Sequence, residues 1–235
     1  MASMTKLRWA LAAVAAVAVL AVAGPFIYIH WIEGDPPARL SLDDATTSTS
    51  TTAAAAGTTR SGIDGTWTVA TGSQAGYRVK EVLFGQDAEA VGRTKDVTGT
   101  MTIAGTSVTE GSFTVDLTTV SSDQSRRDGQ FHNRIMQTSQ FPKATFTLTK
   151  PIDVGSTPGD AVEVKATATG DLTVHGVKRS VTFDVVAKRT SSAIAINGSI
   201  PVAFADYGIG DPSFGPAVVQ DHGEIEFLLL LNPGA

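Results

Sequence analysis

Residues 162–188, VEVKATATGDLTVHGVKRSVTFDVVAK, decide how the rest of the chain is read. From Val162 to Val174 apolar and polar residues alternate, the period of a half-buried strand, with Gly170 as the one break. His175-Gly176-Val177-Lys178 reads as a tight hairpin turn, and Val181 to Lys188 resumes the strand. The same period recurs outward in both directions. It runs through Thr66–Val69, Tyr77–Val79, Val97–Ile103, Phe113–Leu117, Ala144–Thr149, Ala193–Phe204 and Gly223–Leu231. Gly105 and Gly111 bracket a turn, and Gly198 reads as a bend or bulge. Eight or nine strands at hairpin spacing with one short helix predict an all-β antiparallel barrel or sandwich, not a βαβ protein. A closed eight-stranded barrel has room inside for one small ligand. The last strand ends Phe227-Leu228-Leu229-Leu230-Leu231, apolar on both faces. One face is expected to line the interior, the other to pack under the helix or a loop.

The helix is expected in Ser125–Pro142, SRRDGQFHNRIMQTSQFP, the one polar island between strands. Ser121-Ser122-Asp123 supplies N-cap residues, and Phe131, Ile135 and Met136 share one helical face. Phe141-Pro142 ends it. This island is expected to close one end of the barrel. Arg126, Arg127 and Asp128 have two readings. A guanidinium at the barrel mouth can bind a pyrophosphate or quinone oxygen. Alternatively Arg127 and Asp128 pair, or cap the helix, and only brace the island.

The N-terminal third is different. Residues 9–29, WALAAVAAVAVLAVAGPFIYI, form an apolar run which as a helix is about 30 Å long, enough to span a bilayer. Lys6 and Arg8 precede it, and acidic residues dominate the stretch from 33 to 44, so the N-terminus is placed in the cytoplasm and the rest outside. Ala21-Val22-Ala23 offers the competing reading of a cleaved, secreted protein. The expected organisation is a cytoplasmic stretch at 1–8, a single-pass plasma-membrane anchor at 9–31, a flexible Ser/Thr/Ala-rich linker at 32–62 and a β-barrel at 63–232.

Composition removes several function classes. With 235 residues and a net charge of -5, no basic stripe supports nucleic acid as a partner. The absence of cysteine excludes thiolate chemistry and Cys-based zinc. The four histidines, His30, His132, His175 and His222, show no metal-ligand spacing, so no metal is expected. There is no G-x-S-x-G elbow and no Gly-rich nucleotide loop in a βαβ setting. Asn197-Gly198-Ser199 matches a glycosylation sequon by pattern alone.

The residues also carry a family pattern. Arg127-Asp128, then Phe131, Ile135-Met136, Phe141-Pro142 and Ala144-Thr145-Phe146, resemble the RD-x-H-L … F-F … Y-P-x-A-T-F signature of the YceI-like family. Gly170–Val177 resembles its G-x-L-T-I-x-G-V hairpin, and Asp206-Tyr207-Gly208-Ile209 its D-F-G-I segment. The resemblance implies an extended, lipocalin-like antiparallel barrel. It implies an exported, non-enzymatic binder of a polyisoprenoid lipid or isoprenoid quinone, with no other cofactor. Where the family often has His, this chain has Gln130, so a head-group or metal role for that His does not carry over.

The ligand-binding set expected on these grounds is Phe131, Ile135, Met136, Phe141 and Phe146, with Arg126, Arg127 and Asp128 at the rim. Its partners are the lipid and the membrane; a dimer is open. The alternative is a cell-envelope protein-interaction module whose barrel is filled by its own side chains. Small inward residues would argue for a cavity, bulky ones for a filled barrel. A lipid hydrolase or isomerase would need a polar pair inside the barrel, and the sequence shows none.

Overall fold

The structure, a computed structural model, describes residues 36–44, 62–156, 159–190 and 192–234, together with Val17, Val19, Ala23 and Gly24. The expected cytoplasmic stretch, nearly all of the expected anchor and most of the expected linker lie outside these residues. Among the described residues no helix is long and apolar enough to cross a membrane.

Twelve strand segments follow in order: β1 (Gly65–Val69), β2 (Gln74–Leu83), β3 (Gln86–Thr94), β4 (Val97–Ala104), β5 (Ser107–Asp116), β6 (Lys143–Leu148), β7 (Ile152–Asp153), β8 (Glu163–Val174), β9 (Val177–Arg189), β10 (Ile194–Ala203), β11 (Ala217–Val219) and β12 (His222–Pro233). They build eight staves. β1 and β2 both pair with β12 on one side, and pair with β4 and β3 on the other, so each of these couples forms one long stave. From there β5, β6, β8, β9 and β10 follow as neighbours, and β10 returns to β12. The result is a closed, antiparallel, up-and-down barrel. Closure removes the sheet edges that an open sheet would expose.

Local chemistry explains the joints. β1 and β2 are offset at Ala70–Ser73, opposite Leu229 and Leu230. The Ser73 hydroxyl donates to Ala70 C=O at 2.8 Å and accepts from Leu230 N–H at 2.9 Å, fastening that bulge. His175 and Gly176 make a two-residue turn with φ of 51° and 75°, the paired left-handed geometry that fits a twisted hairpin. Gly198, expected as a bend or bulge, lies in regular pairing opposite Phe227. A Cβ there would sit 2.6 Å from the Phe227 ring, so the glycine is the seat of that ring. Gly111, expected to bracket a turn with Gly105, is a β5 residue opposite Met101.

The island splits into a short helix α1 (Ser125–Gln130) and a wider turn over Phe131–Ile135. There Met136 N–H reaches back five residues to Phe131 C=O at 2.8 Å. The expected N-cap at 121–123 is corrected. Gln124 starts the helix without a side-chain bond, and the Asp128 carboxylate instead accepts from the Ser122 N–H and hydroxyl.

A second correction concerns residues 36–44, part of the expected flexible linker. They lie along the outer face of β10, β12 and β2. Leu40 and Leu42 are buried in a cluster with Ala195, Leu228 and Leu230. This segment, not the helix or a loop, covers the outer apolar face of the last strand. A charge network holds it. Arg39 pairs with Glu224, which lies below the usual carboxylate range because Arg39 donates to it. Beneath, Glu226 binds Arg78 at 3.2 Å and Arg93 at 2.7 Å, and both arginines donate to the carbonyls of Pro37 and Ala38. Asn197 donates to Leu40 C=O at 2.6 Å, so the sequon asparagine is committed to packing.

Candidate functional site

Side chains on the inner face of the barrel leave two hollows that share no lining residue. The connections 84–85, 117–142, 175–176 and 204–221 lie at one end, the island end. The hairpin at 105–106 and residues 149–156, 159–162, 190 and 192–193 lie at the far end.

The far-end hollow has a volume of about 200 Å³. It exists because inward positions are small where a core would place bulk: Ala75, Gly111, Ala144, Ala166 and Ala168. Its inner limit is a ring layer. Phe146 and Phe183 meet edge-on at 5.3 Å, and Phe183 and Phe227 at 6.0 Å. Its outer limit is the rim with Thr106, Ile152, Val162 and Arg189. Among the described residues Arg189 is the only charged one of the lining, and its Nε lies 3.4 Å from an Asp160 carboxylate oxygen.

The island-end hollow has a volume of about 280 Å³ and a mixed lining. Phe131, Ile135 and Met136 enter it from the island, with Tyr77 stacked on Phe131 at 5.0 Å. Burial pushes the Tyr77 phenol well above its ordinary pKa. Buried Glu81 lies 3.9 Å from Arg127, which also pairs with Asp123. Arg126 stacks on Phe214 at 5.0 Å from the ring centre. The main core joins Phe131 and Met136 of the island-end lining and Leu172 and Phe183 of the far-end lining with Leu117, Val120, Val174 and Val202, which line neither hollow.

The expected ligand-binding set is therefore divided. Phe146 belongs to the far-end hollow; Phe131, Ile135, Met136, Arg126 and Arg127 belong to the island-end hollow. Two members line neither. Phe141 packs on the His175 ring at 4.5 Å, over Gly176, because the chain turns away at Pro142. Asp128 is turned to Ser122. The expected Arg127–Asp128 pair is replaced by Arg127 with Asp123 and Glu81. Gln130 accepts from Arg134 Nε at 2.9 Å, and among the described residues no group of side chains could hold a metal ion.

The chain's many Thr and Ala leaned the sequence reading toward a cavity, but it named none of the alanines of this wall, although their alternation within β8 was visible. It also missed Arg134, which donates to the carbonyls of Asp211, Pro212 and Ser213 and fastens the 204–216 loop to the island. No spacing rule reports a contact across 77 residues. Two buried polar atoms, His175 Nε2 and Tyr207 Oη, have no partner among the described residues.

Comparison with known proteins bears on this geometry. The sequence model of the YceI-like domain matches residues 41–230. A polyisoprenoid binding domain from Saccharophagus degradans, implicated in plant cell wall breakdown, superimposes with a TM-score of 0.58 at 17% identity, covering 72% of this chain and 98% of its own. Burkholderia cenocepacia BcnA gives 0.56 at 19% identity, covering 69% and 98%. At these identities the likeness is one of fold. No curated protein matches.

Proposed function

The chain belongs to the YceI-like family, and on that premise we propose that it is an exported, membrane-tethered binding protein for a long apolar lipid of the polyisoprenoid or isoprenoid-quinone class. The observation that carries the reading is the far-end hollow, apolar and walled by small residues. Small inward residues are the feature that separates a ligand-holding barrel from a self-filled interaction module. A dry apolar cavity of about 150 Å³ takes up benzene. At about 200 Å³ this hollow accommodates roughly one five-carbon prenyl unit as it stands. Burying those carbons contributes about 4 kcal/mol before ordering costs. The remainder of a longer chain leaves through the rim, past Thr106, Ile152, Val162 and Arg189.

The polyisoprenoid-binding description of the Saccharophagus relative supports the ligand class. No catalytic step is proposed, because among the described residues the lining offers one titratable side chain, Arg189, and no acid-base pair. The tether is residues 9–31, with Lys6 and Arg8 on the cytoplasmic side. Cleavage after Ala23 would release the same exported domain.

Native mass spectrometry of the full chain extracted from its host membranes, with solvent extraction of bound material, tests the reading. A co-purified prenyl lipid or quinone is the expected result. A clean ligand-free mass, together with no uptake of added quinone or polyprenyl phosphate, would overturn it.

A further inference from the structure

The two ends of the barrel differ on the outside as well. At the island end four large apolar side chains stand exposed: Val82, Phe84, Phe214 and Val218. They are contiguous. Val82 and Val218 are direct cross-strand partners, Phe84 N–H donates to Pro216 C=O, and Phe214 bridges to Ala217 beside them. At the far end only Val162 is comparably exposed among the described residues. Over Phe214 lie the guanidinium groups of Arg126 and Arg134, at 5.0 and 5.9 Å. Arg126 has no ion pair among the described residues.

The path of residues 36–44 says what this end faces. Pro37 C=O sits at Arg78, and Leu40 C=O sits at Asn197, which pairs with Leu228 and so lies level with Gln74. Followed backwards, the segment climbs toward Leu83, the island end. Arg78 is five residues from that end of its stave and thirteen from Gly65 at the other, about 17 and 43 Å along the strand. Only residues 32–35 separate Trp31 from Pro36. Fully extended, that stretch reaches about 17 Å.

We infer that the island end rests on the bilayer spanned by the anchor at residues 9–31, with Val82, Phe84, Phe214 and Val218 in the lipid interface and Arg126 at phosphate level. This rests on the membrane-tether reading above. So short a leash reaches the membrane from the island end and not from the far end. Aromatic and apolar side chains edged by arginine suit the interface. Asp87 and Asp211 stand at the same end, so the apolar side chains, not net charge, drive the contact. The mouth of the far-end hollow then points away from the anchoring bilayer.

The chain has no cysteine, so single fluorophores can be placed on the full-length protein through Gln86→Cys, Ala104→Cys and Ala18→Cys. The protein is reconstituted in phosphatidylcholine vesicles, with and without phosphatidylglycerol, and quenching by lipid-borne quenchers reports depth. The label at 86 is expected about 5–10 Å into the interface, the label at 104 in water, and the label at 18 in the hydrocarbon, in both lipid mixtures. Phe84→Ser with Phe214→Ser is expected to return the label at 86 to water and leave 18 unchanged. Equal exposure of 86 and 104 with 18 still buried overturns the docking alone. A label at 86 that stays shielded in the double variant does the same. An aqueous label at 18 overturns the tether and the docking together.

Discussion

The hollow at the far end and the hollow under the island are enclosed by the same staves, yet one holds a single charge at its rim and the other is charged within. On a single strand, β2, Ala75 faces the first, while Tyr77, Val79, Glu81 and Leu83 face the second. Successive inward residues are two apart, so a change of side-chain type along one strand is enough to change the chemistry of the interior. The far-end hollow is made by omission: alanines and Gly111 where bulk would fill the barrel. The island-end hollow is made by addition of α1 and the 204–216 loop over the staves, and it inherits their charges. A barrel can therefore keep a dry apolar site apart from a charged one, provided a packed layer divides them.

That layer is where the comparison breaks most visibly. Phe183→Ala removes a buried ring from it and is expected to cost about 3–5 kcal/mol, read from the urea midpoint. A loss below about 1 kcal/mol would mean that the two hollows are not divided by tight packing. Filling the far-end hollow is the next largest effect. Ala166→Phe is expected to lower uptake of a fluorescent prenyl probe by about tenfold or more, with the fold kept, since the added ring occupies space now empty. Unchanged uptake would move the ligand site elsewhere.

A smaller, pH-dependent difference marks the island end. The folded pKa of Tyr77 is raised by burial, so its contribution to stability is full below the ordinary tyrosine value of about 10 and is lost as pH rises from there through the raised folded value. Thermal melting between about pH 9 and 11 should therefore fall more in the native chain than in Tyr77→Phe. Parallel curves would show that the phenol does not report this hollow. The smallest effect expected is that of Arg126→Gln, which lines only the island-end hollow. It should leave probe uptake within about twofold. A tenfold loss would bring the island-end hollow into the ligand path.

Much of this was legible in the chain itself. The alternation around Gly170, the His175-Gly176 turn and the apolar last strand determined an antiparallel barrel or sandwich, because strand period and turn chemistry are local properties; the resemblance pointed to the barrel. The resemblance carried by Arg127-Asp128, Phe141-Pro142 and Gly170–Val177 named the family. The alanines of β8 were equally visible, but a small residue in a strand signals a void only when its cross-barrel neighbours are known.

Three features were decided only in three dimensions. Which hollow each island residue enters depends on the turn at Phe131–Ile135, where hydrogen bonds five residues apart rotate Ile135 and Met136 relative to an ordinary helix. The docking of 36–44 depends on Leu40 and Leu42 finding Leu228 and Leu230, nearly the length of the chain away. The division of one barrel into two hollows depends on which side chains meet across it. Local sequence sets the period of a strand and the shape of a turn; contacts between residues far apart in the chain set what a given inward side chain meets, and so where the barrel is filled and where it is empty.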